Sequence, residues 1–205
     1  MPSHSNRPGF FAVAVSLLVC GFAGCSNRPA RVPAPRINPG AIVEAVFEQA
    51  DADRDGRLRA AEQQTVPAIA AAVSRLDTDG DGAVAREELL AWLEAVRDSR
   101  VAITPLEVVV MQRGRPLASA TVRLVPEPFM GGQVKAAEGL TDAQGVAAIT
   151  IPDAQYPGVN CGLYRVEITG TEGVPLPNDL NTTTTFGVAV GAGVPETGSV
   201  EVAVN

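Results

Sequence analysis

Two twelve-residue segments, 51–62 (loop 1) and 77–88 (loop 2), share one arrangement of acidic residues and glycine, and this repeat constrains the fold more than any other feature. In each, aspartate stands at the first, third and fifth positions, glycine at the sixth and glutamate at the twelfth. Alternate carboxylates face the centre of a curled chain, and glycine at the sixth position permits the turn. The repeat predicts two loops that gather oxygen atoms round a hard cation.

Calcium is the cation that such a flexible shell of oxygen ligands favours, with magnesium or manganese as alternatives. The seventh residue would contribute its backbone carbonyl and the closing glutamate both carboxylate oxygens. Neither ninth residue is acidic, so water would complete each shell. Two calcium sites are predicted, with ligands Asp51, Asp53, Asp55, Arg57 and Glu62 in loop 1, and Asp77, Asp79, Asp81, Ala83 and Glu88 in loop 2.

The two loops differ in formal charge. Loop 1 has four acidic and three basic side chains, a net charge of −1, whereas loop 2 has five acidic and one basic, a net charge of −4. A more negative loop attracts a divalent cation more strongly. Loop 2 is therefore predicted to bind calcium more tightly than loop 1.

Helices are predicted on both sides of each loop. Asn38 and Pro39 form a helix start, and apolar residues at helical spacing follow as far as Asp51. A second helix is expected from Pro67, with Ile69, Val73 and Leu76 on its apolar face, and a third over 87–97, with Trp92 as a core residue. At the eighth loop positions, Leu58 and Val84 should pack against each other.

With these helices and loops, residues 37 to about 100 resemble the EF-hand family, specifically the short paired hands of secreted bacterial proteins. The resemblance implies calcium binding. The loops begin only 26 positions apart, at 51 and 77, which is too short for two full helices and a linker. We expect a compact pair over 39–100.

Residues 101–205 change from helical to alternating periodicity. Seven antiparallel strands are predicted, at 106–111, 120–125, 135–141, 146–151, 163–169, 185–190 and 199–204. Segments such as Gly114-Arg-Pro-Leu117 and Gly139-Leu-Thr-Asp-Ala-Gln-Gly145 resemble the transthyretin-like, carboxypeptidase-regulatory-like β-sandwich of planctomycete lipoproteins. The expected fold class is α+β with two domains, a helical EF-hand pair followed by a seven-stranded antiparallel β-sandwich of prealbumin or Ig-like type.

The first 25 residues have the pattern of a signal peptide, with an apolar run from Phe10 to Val19 that is too short to span a membrane as a stable helix. Phe22-Ala23-Gly24-Cys25 resembles the lipobox of bacterial lipoproteins, which implies cleavage before Cys25 and lipid attachment there. An ordinary signal peptide or an uncleaved anchor is the alternative, and Cys20 is the rival acceptor. Residues 26–38 are predicted to be a proline-rich tether, so the protein would be lipid-anchored in the cell envelope and face outside the cytoplasm.

Composition argues against several functions. The net charge of −7 disfavours nucleic-acid binding, which needs a basic face. The single histidine, His4, lies in the segment expected to be removed, and Cys161 has no histidine to activate it, so no enzyme is predicted. A dockerin-like interaction module is the main alternative, although dockerin repeats lack the helix predicted before loop 1, and a calcium-dependent enzyme is a weaker one. A protein or glycan partner could contact the polar run 178–185.

Overall fold

The structure is a computed structural model that describes residues 32–170, 176, 180–191 and 199–204. The predicted signal peptide, Cys25 and the start of the tether lie outside these residues. The described remainder of the tether, residues 32–38, has no regular secondary structure. Within the described part, no helix is both long and apolar enough to cross a membrane.

Five helices form the N-terminal part of the described chain. The first begins where the sequence predicts, because the Asn38 side chain accepts a hydrogen bond from the backbone nitrogen of Ala41 at 3.3 Å and proline occupies the first turn. The last covers the predicted third helix. The helices are α1 (Pro39–Ala50), α2 (Ala60–Gln63), α3 (Pro67–Ala70), α4 (Val73–Leu76) and α5 (Arg86–Ser99).

The predicted second helix is interrupted, so that the segment between the loops forms two single turns, α3 and α4. Ala72 leaves helical geometry, with φ −110° and ψ 2°. Its amide bonds to the carbonyl of Ile69 at 2.9 Å, three residues back rather than four. The break accompanies packing of α3 against the sheet described below. A straight helix predicted from local spacing takes no account of that tertiary contact.

Among the described residues ten strands form three sheets, and all seven predicted strands are present. They are β1 (Arg57–Leu58), β2 (Val84–Ala85), β3 (Glu107–Gln112), β4 (Arg115–Pro116), β5 (Thr121–Pro126), β6 (Ala137–Leu140), β7 (Val146–Ala148), β8 (Gly162–Thr169), β9 (Gly187–Val190) and β10 (Ser199–Val204). Strands β1 and β2 join the loops. One four-stranded sheet has the order β10-β3-β4, with β7 also paired to β3, and the other has the order β6-β5-β8-β9. A 3-10 helix, Pro128–Met130, follows β5.

The expectation of a wholly antiparallel fold is wrong at one pair. Strand β10 runs parallel to β3, with Val200 beside Val108 and Val202 beside Val110. The other ladders of the described residues are antiparallel. The last strand lies far along the chain from β3, so no short turn fixes its direction. The described chain is thus α+β with mostly antiparallel sheets, and the prealbumin-like or Ig-like sandwich stays a prediction.

Helix α3 packs directly on the second sheet. A Cβ placed on Gly187 of β9 would lie 2.2 Å from the backbone nitrogen of Ala68, so glycine permits this close approach. Arg75 donates a hydrogen bond to the carbonyl oxygen of Ala189 at 3.1 Å, and Trp92 of α5 packs near Gly191. The buried apolar residues of the helices and of the sheets belong to one hydrophobic cluster. The segment between the loops is therefore held against the sheet.

Candidate metal centre

Loop 1 begins where α1 ends, and its backbone amides fix the first carboxylate. Asp51 Oδ1 accepts a hydrogen bond from the nitrogen of Asp55 at 3.2 Å, and Oδ2 accepts one from the nitrogen of Gly56 at 3.0 Å. Gly56 has φ +82°, in the left-handed region where a side chain is unfavourable. The turn predicted at the sixth position is present.

The three aspartates of loop 1 converge. Asp51, Asp53 and Asp55 each offer one carboxylate oxygen, and these oxygens all lie within 4.8 Å of one another. The loop backbone again supports them, because Asp53 Oδ1 accepts from the nitrogen of Asp55 at 3.2 Å and Asp55 Oδ1 accepts from the nitrogen of Arg57 at 2.9 Å. Asp51 is buried and the other two are exposed, so the group opens to solvent on one side.

Loop 2 repeats this geometry. Asp77 Oδ1 accepts from the nitrogens of Gly80 at 2.7 Å and Asp81 at 3.1 Å, and Oδ2 accepts from the nitrogen of Gly82 at 2.9 Å. Oxygens of Asp77, Asp79 and Asp81 also lie within 4.8 Å of one another. The sequence repeat is therefore a repeat in three dimensions.

The closing glutamates fold back across the ends of their loops. Glu62 accepts from the nitrogens of Ala52 at 2.9 Å and Arg59 at 3.0 Å, one on each carboxylate oxygen. Glu88 does the same with the nitrogens of Thr78 at 2.7 Å and Ala85 at 2.9 Å. Neither glutamate belongs to the converging sets of aspartates. They tie the second residue of each loop to the ninth.

Glu88 is held in its charged form by these contacts. Burial by itself would raise the pKa of this carboxyl group. The hydrogen bonds from Ala85, Thr78 and Asp79 outweigh that effect, and the pKa of Glu88 lies below its usual value. An ionised carboxylate is the form that ligates a metal ion.

The two loops are joined at their eighth residues, as predicted. In the β1–β2 ladder Leu58 lies opposite Val84 and Arg57 opposite Ala85, and both Leu58 and Val84 are fully buried. Gln63 adds a link between the loops that the sequence pattern does not predict. Its side-chain nitrogen donates to the carbonyl oxygens of Leu58 at 2.8 Å and Gly82 at 3.1 Å. A single polar residue at the end of a short helix gives no distinctive sequence signal.

The charge assigned to each loop from sequence needs correction. The guanidinium of Arg57 belongs to loop 1 by sequence but pairs with Asp79 and Asp81 of loop 2. Arg86 belongs to loop 2 but pairs with Glu44 of α1 at 3.0 Å. With Arg57 counted in loop 2 and Arg86 left out, the net charges become −2 and −4. Loop 2 is still the more negative, and the ranking of affinities stays a prediction.

These residues suit a hard divalent cation. Each converging set consists of carboxylate oxygens alone, and hydrogen bonds from backbone amides fix the positions of those carboxylates. No histidine or cysteine belongs to either set. For Arg57 and Ala83 the predicted ligand is the backbone carbonyl.

Other predicted features fall outside the loops. Cys161 is a buried free thiol whose pKa is raised by burial to about 11, which is the opposite of an activated nucleophile. Trp92 is partly buried and packs against the hydrophobic cluster. In the polar run 178–185, positions 178 and 179 lie outside the described residues, and Thr184 is buried.

A family model described as EF hand matches residues 42–62, which comprise most of α1 and all of loop 1. No curated protein and no solved structure matches the chain. The family match and the two acidic sets together indicate calcium binding by an EF-hand segment.

Proposed function

We propose that the protein is a non-catalytic, calcium-binding lipoprotein, in which two calcium ions order the EF-hand pair beside a β-sandwich that serves as a binding or spacer domain. The observation that carries the calcium part is the convergence of three carboxylates in each of two loops joined through β1 and β2. Calcium would neutralise these carboxylates and draw the closing glutamates, Glu62 and Glu88, into the shell.

The anchoring part of the proposal rests on sequence. The apolar run 10–19 followed by Phe22-Ala23-Gly24-Cys25 supports lipid attachment at Cys25, at the outer side of a membrane in the cell envelope. Replacing Cys25 with Ala is expected to release the protein into the soluble fraction, with Cys20→Ala as the matched control that stays bound. Membrane retention of the Cys25 variant would argue against lipidation.

The absence of catalysis is supported by the chemistry of the side chains. The only histidine, His4, lies in the segment expected to be removed, and burial raises the pKa of the Cys161 thiol, so that this thiol is not an activated nucleophile. The dockerin-like alternative is weakened by α1, a twelve-residue helix that enters loop 1.

The test is a calcium titration of the full chain in detergent, after removal of divalent ions, by calorimetry and Trp92 fluorescence. We expect two sites, with affinities in the range of about 10⁻⁴ to 10⁻³ M that is common for extracellular modules. Glu62→Gln should weaken one site and Glu88→Gln the other, tighter one. Glu107→Gln, an exposed change on β3, should leave both unchanged. No heat at millimolar calcium would refute calcium binding.

A further inference from the structure

Arg57 reaches from loop 1 to the carboxylates of loop 2. Its Nη1 hydrogen-bonds Asp81 Oδ2, and its Nη2 lies 3.7 Å from Asp79 Oδ2. These are the third and fifth residues of loop 2, two of the three whose oxygens converge. The crossing is a consequence of the β1–β2 ladder, which places Arg57 opposite Ala85 at the far end of loop 2.

Arg59 makes the equivalent contact within its own loop. Its Nη1 hydrogen-bonds Asp55 Oδ2 and lies 3.7 Å from Asp53 Oδ2. Each loop therefore has one guanidinium on the aspartates at its third and fifth positions.

We propose that Arg57 and Arg59 are tethered cations that compete with calcium, Arg59 for the loop 1 site and Arg57 for the loop 2 site, so that a residue of the first loop sets the affinity of the second. This inference rests on the proposed calcium binding.

The competition follows from shared oxygens. Calcium needs carboxylate oxygens at about 2.3–2.6 Å, and a guanidinium paired with the same aspartates must give up that contact when the ion enters. A positive charge that stays nearby also repels the incoming ion. Both effects weaken binding. Because the ion pairs are partly exposed to solvent, each effect is modest, and we expect removal of one arginine to tighten its site about fivefold.

In the calcium-free protein each arginine has the opposite effect and stabilises its loop. The guanidinium then partly neutralises carboxylates that would otherwise repel one another across each loop. Loss of the arginine should lower the thermal midpoint of the calcium-free protein and leave that of the calcium-saturated protein nearly unchanged. The calcium-induced rise in the midpoint should therefore be larger in the variants than in the parent chain.

The experiment is a crossed calorimetric design on the full chain in detergent. Glu62→Gln isolates the loop 2 site and Glu88→Gln the loop 1 site, and Arg57→Gln, Arg59→Gln and Arg54→Gln are placed in each background. Arg54 is the matched control, because it carries the same charge in loop 1 and makes no ion pair with a carboxylate among the described residues. Thermal melts with chelator and with saturating calcium accompany each titration.

We expect Arg57→Gln to tighten the loop 2 site about fivefold and Arg59→Gln the loop 1 site by a similar factor, in both cases more than Arg54→Gln does. Raising the salt concentration should shrink these factors. If Arg57→Gln tightens loop 1 instead, or matches Arg54→Gln at both sites, the inference is overturned while calcium binding stands. If no protein gives heat, calcium binding itself fails and the inference fails with it.

Discussion

Gly187 of β9 lies where helix α3 packs against the sheet. Its replacement by alanine should push α3 away from β9. The added Cβ would lie 2.2 Å from both the nitrogen of Ala68 and the carbonyl carbon of Pro67. Ordinary contact begins at about 3.4 Å, so α3 has to move by about 1.2 Å. Both neighbours are backbone atoms, and neither can rotate away as a side chain could.

The expected loss of stability is set by this overpacking. Adding a methyl group to a well-packed core costs about 1–3 kcal/mol, and rigid backbone on the opposite side favours the upper end, about 3 kcal/mol. For a chain of this size that corresponds to a fall in Tm of roughly 6–12 °C. Urea unfolding followed by far-UV circular dichroism and Trp92 fluorescence measures it.

Gly40→Ala is a control variant in which the free energy of unfolding should rise rather than fall. It lies in α1, and the nearest atom to a Cβ at this position is 3.9 Å away, so alanine fits without strain. Gly40→Ala should stabilise the chain by about 0.5–1 kcal/mol, because alanine forms helix more readily than glycine. An unchanged urea midpoint for Gly187→Ala, beside a raised one for Gly40→Ala, would refute the close approach of α3 to β9.

Three further outcomes are expected. Arg54 has φ +59° at the loop position where loop 2 has Gly80 at φ +76°. Because this left-handed conformation is unfavourable for a residue with a side chain, Arg54→Gly should stabilise the calcium-free chain by about 1 kcal/mol. An unchanged urea midpoint would contradict backbone strain at Arg54. Burial raises the pKa of Glu127 despite Arg165, so the stability that its protonated form contributes is present below about pH 4.5 and is lost as pH rises through the raised pKa. The Tm of Glu127→Gln should therefore gain on that of the wild type as pH rises above about 4.5, and parallel curves would exclude this. The thiol of Cys161 should react with a disulfide reagent only when the protein unfolds, and Cys161→Ala provides the background rate. A rapid reaction in the native protein would contradict the burial of Cys161.

Features that depend on a few neighbouring residues were predictable from the sequence. The cap at Asn38 and the left-handed turn at Gly56 follow from local chemistry, whereas the pairing of Leu58 with Val84 follows from their equivalent positions in the two loop repeats. The structure confirms all three. The seven strand positions were also predictable, because alternation of apolar residues records which side of a strand is buried.

Features that depend on distant parts of the chain were not predictable from the sequence. The parallel direction of β10 beside β3 is decided by packing between segments about ninety residues apart. The break at Ala72 comes with packing of α3 against the sheet. The crossing of Arg57 to Asp81 depends on the conformation of a long side chain, which the predicted pairing of Leu58 with Val84 does not determine. Local pattern contains none of this information.

The position of α3 links the two halves of the described chain energetically. It lies between loop 1 and loop 2, and its buried residues Ala68 and Ile69 belong to the same hydrophobic cluster as the sheet. The backbone nitrogen of Ala68 also donates a hydrogen bond to the buried Glu127 at the end of β5. A displacement of either loop therefore disturbs the contact with the sheet. Calcium that binds only the ordered loops should raise the unfolding midpoint of helices and sheets in one transition, by an amount that grows with the logarithm of its concentration. A single calcium-dependent transition would support a stabilising role for the ion, whereas separate transitions of helices and sheets would contradict the link through α3.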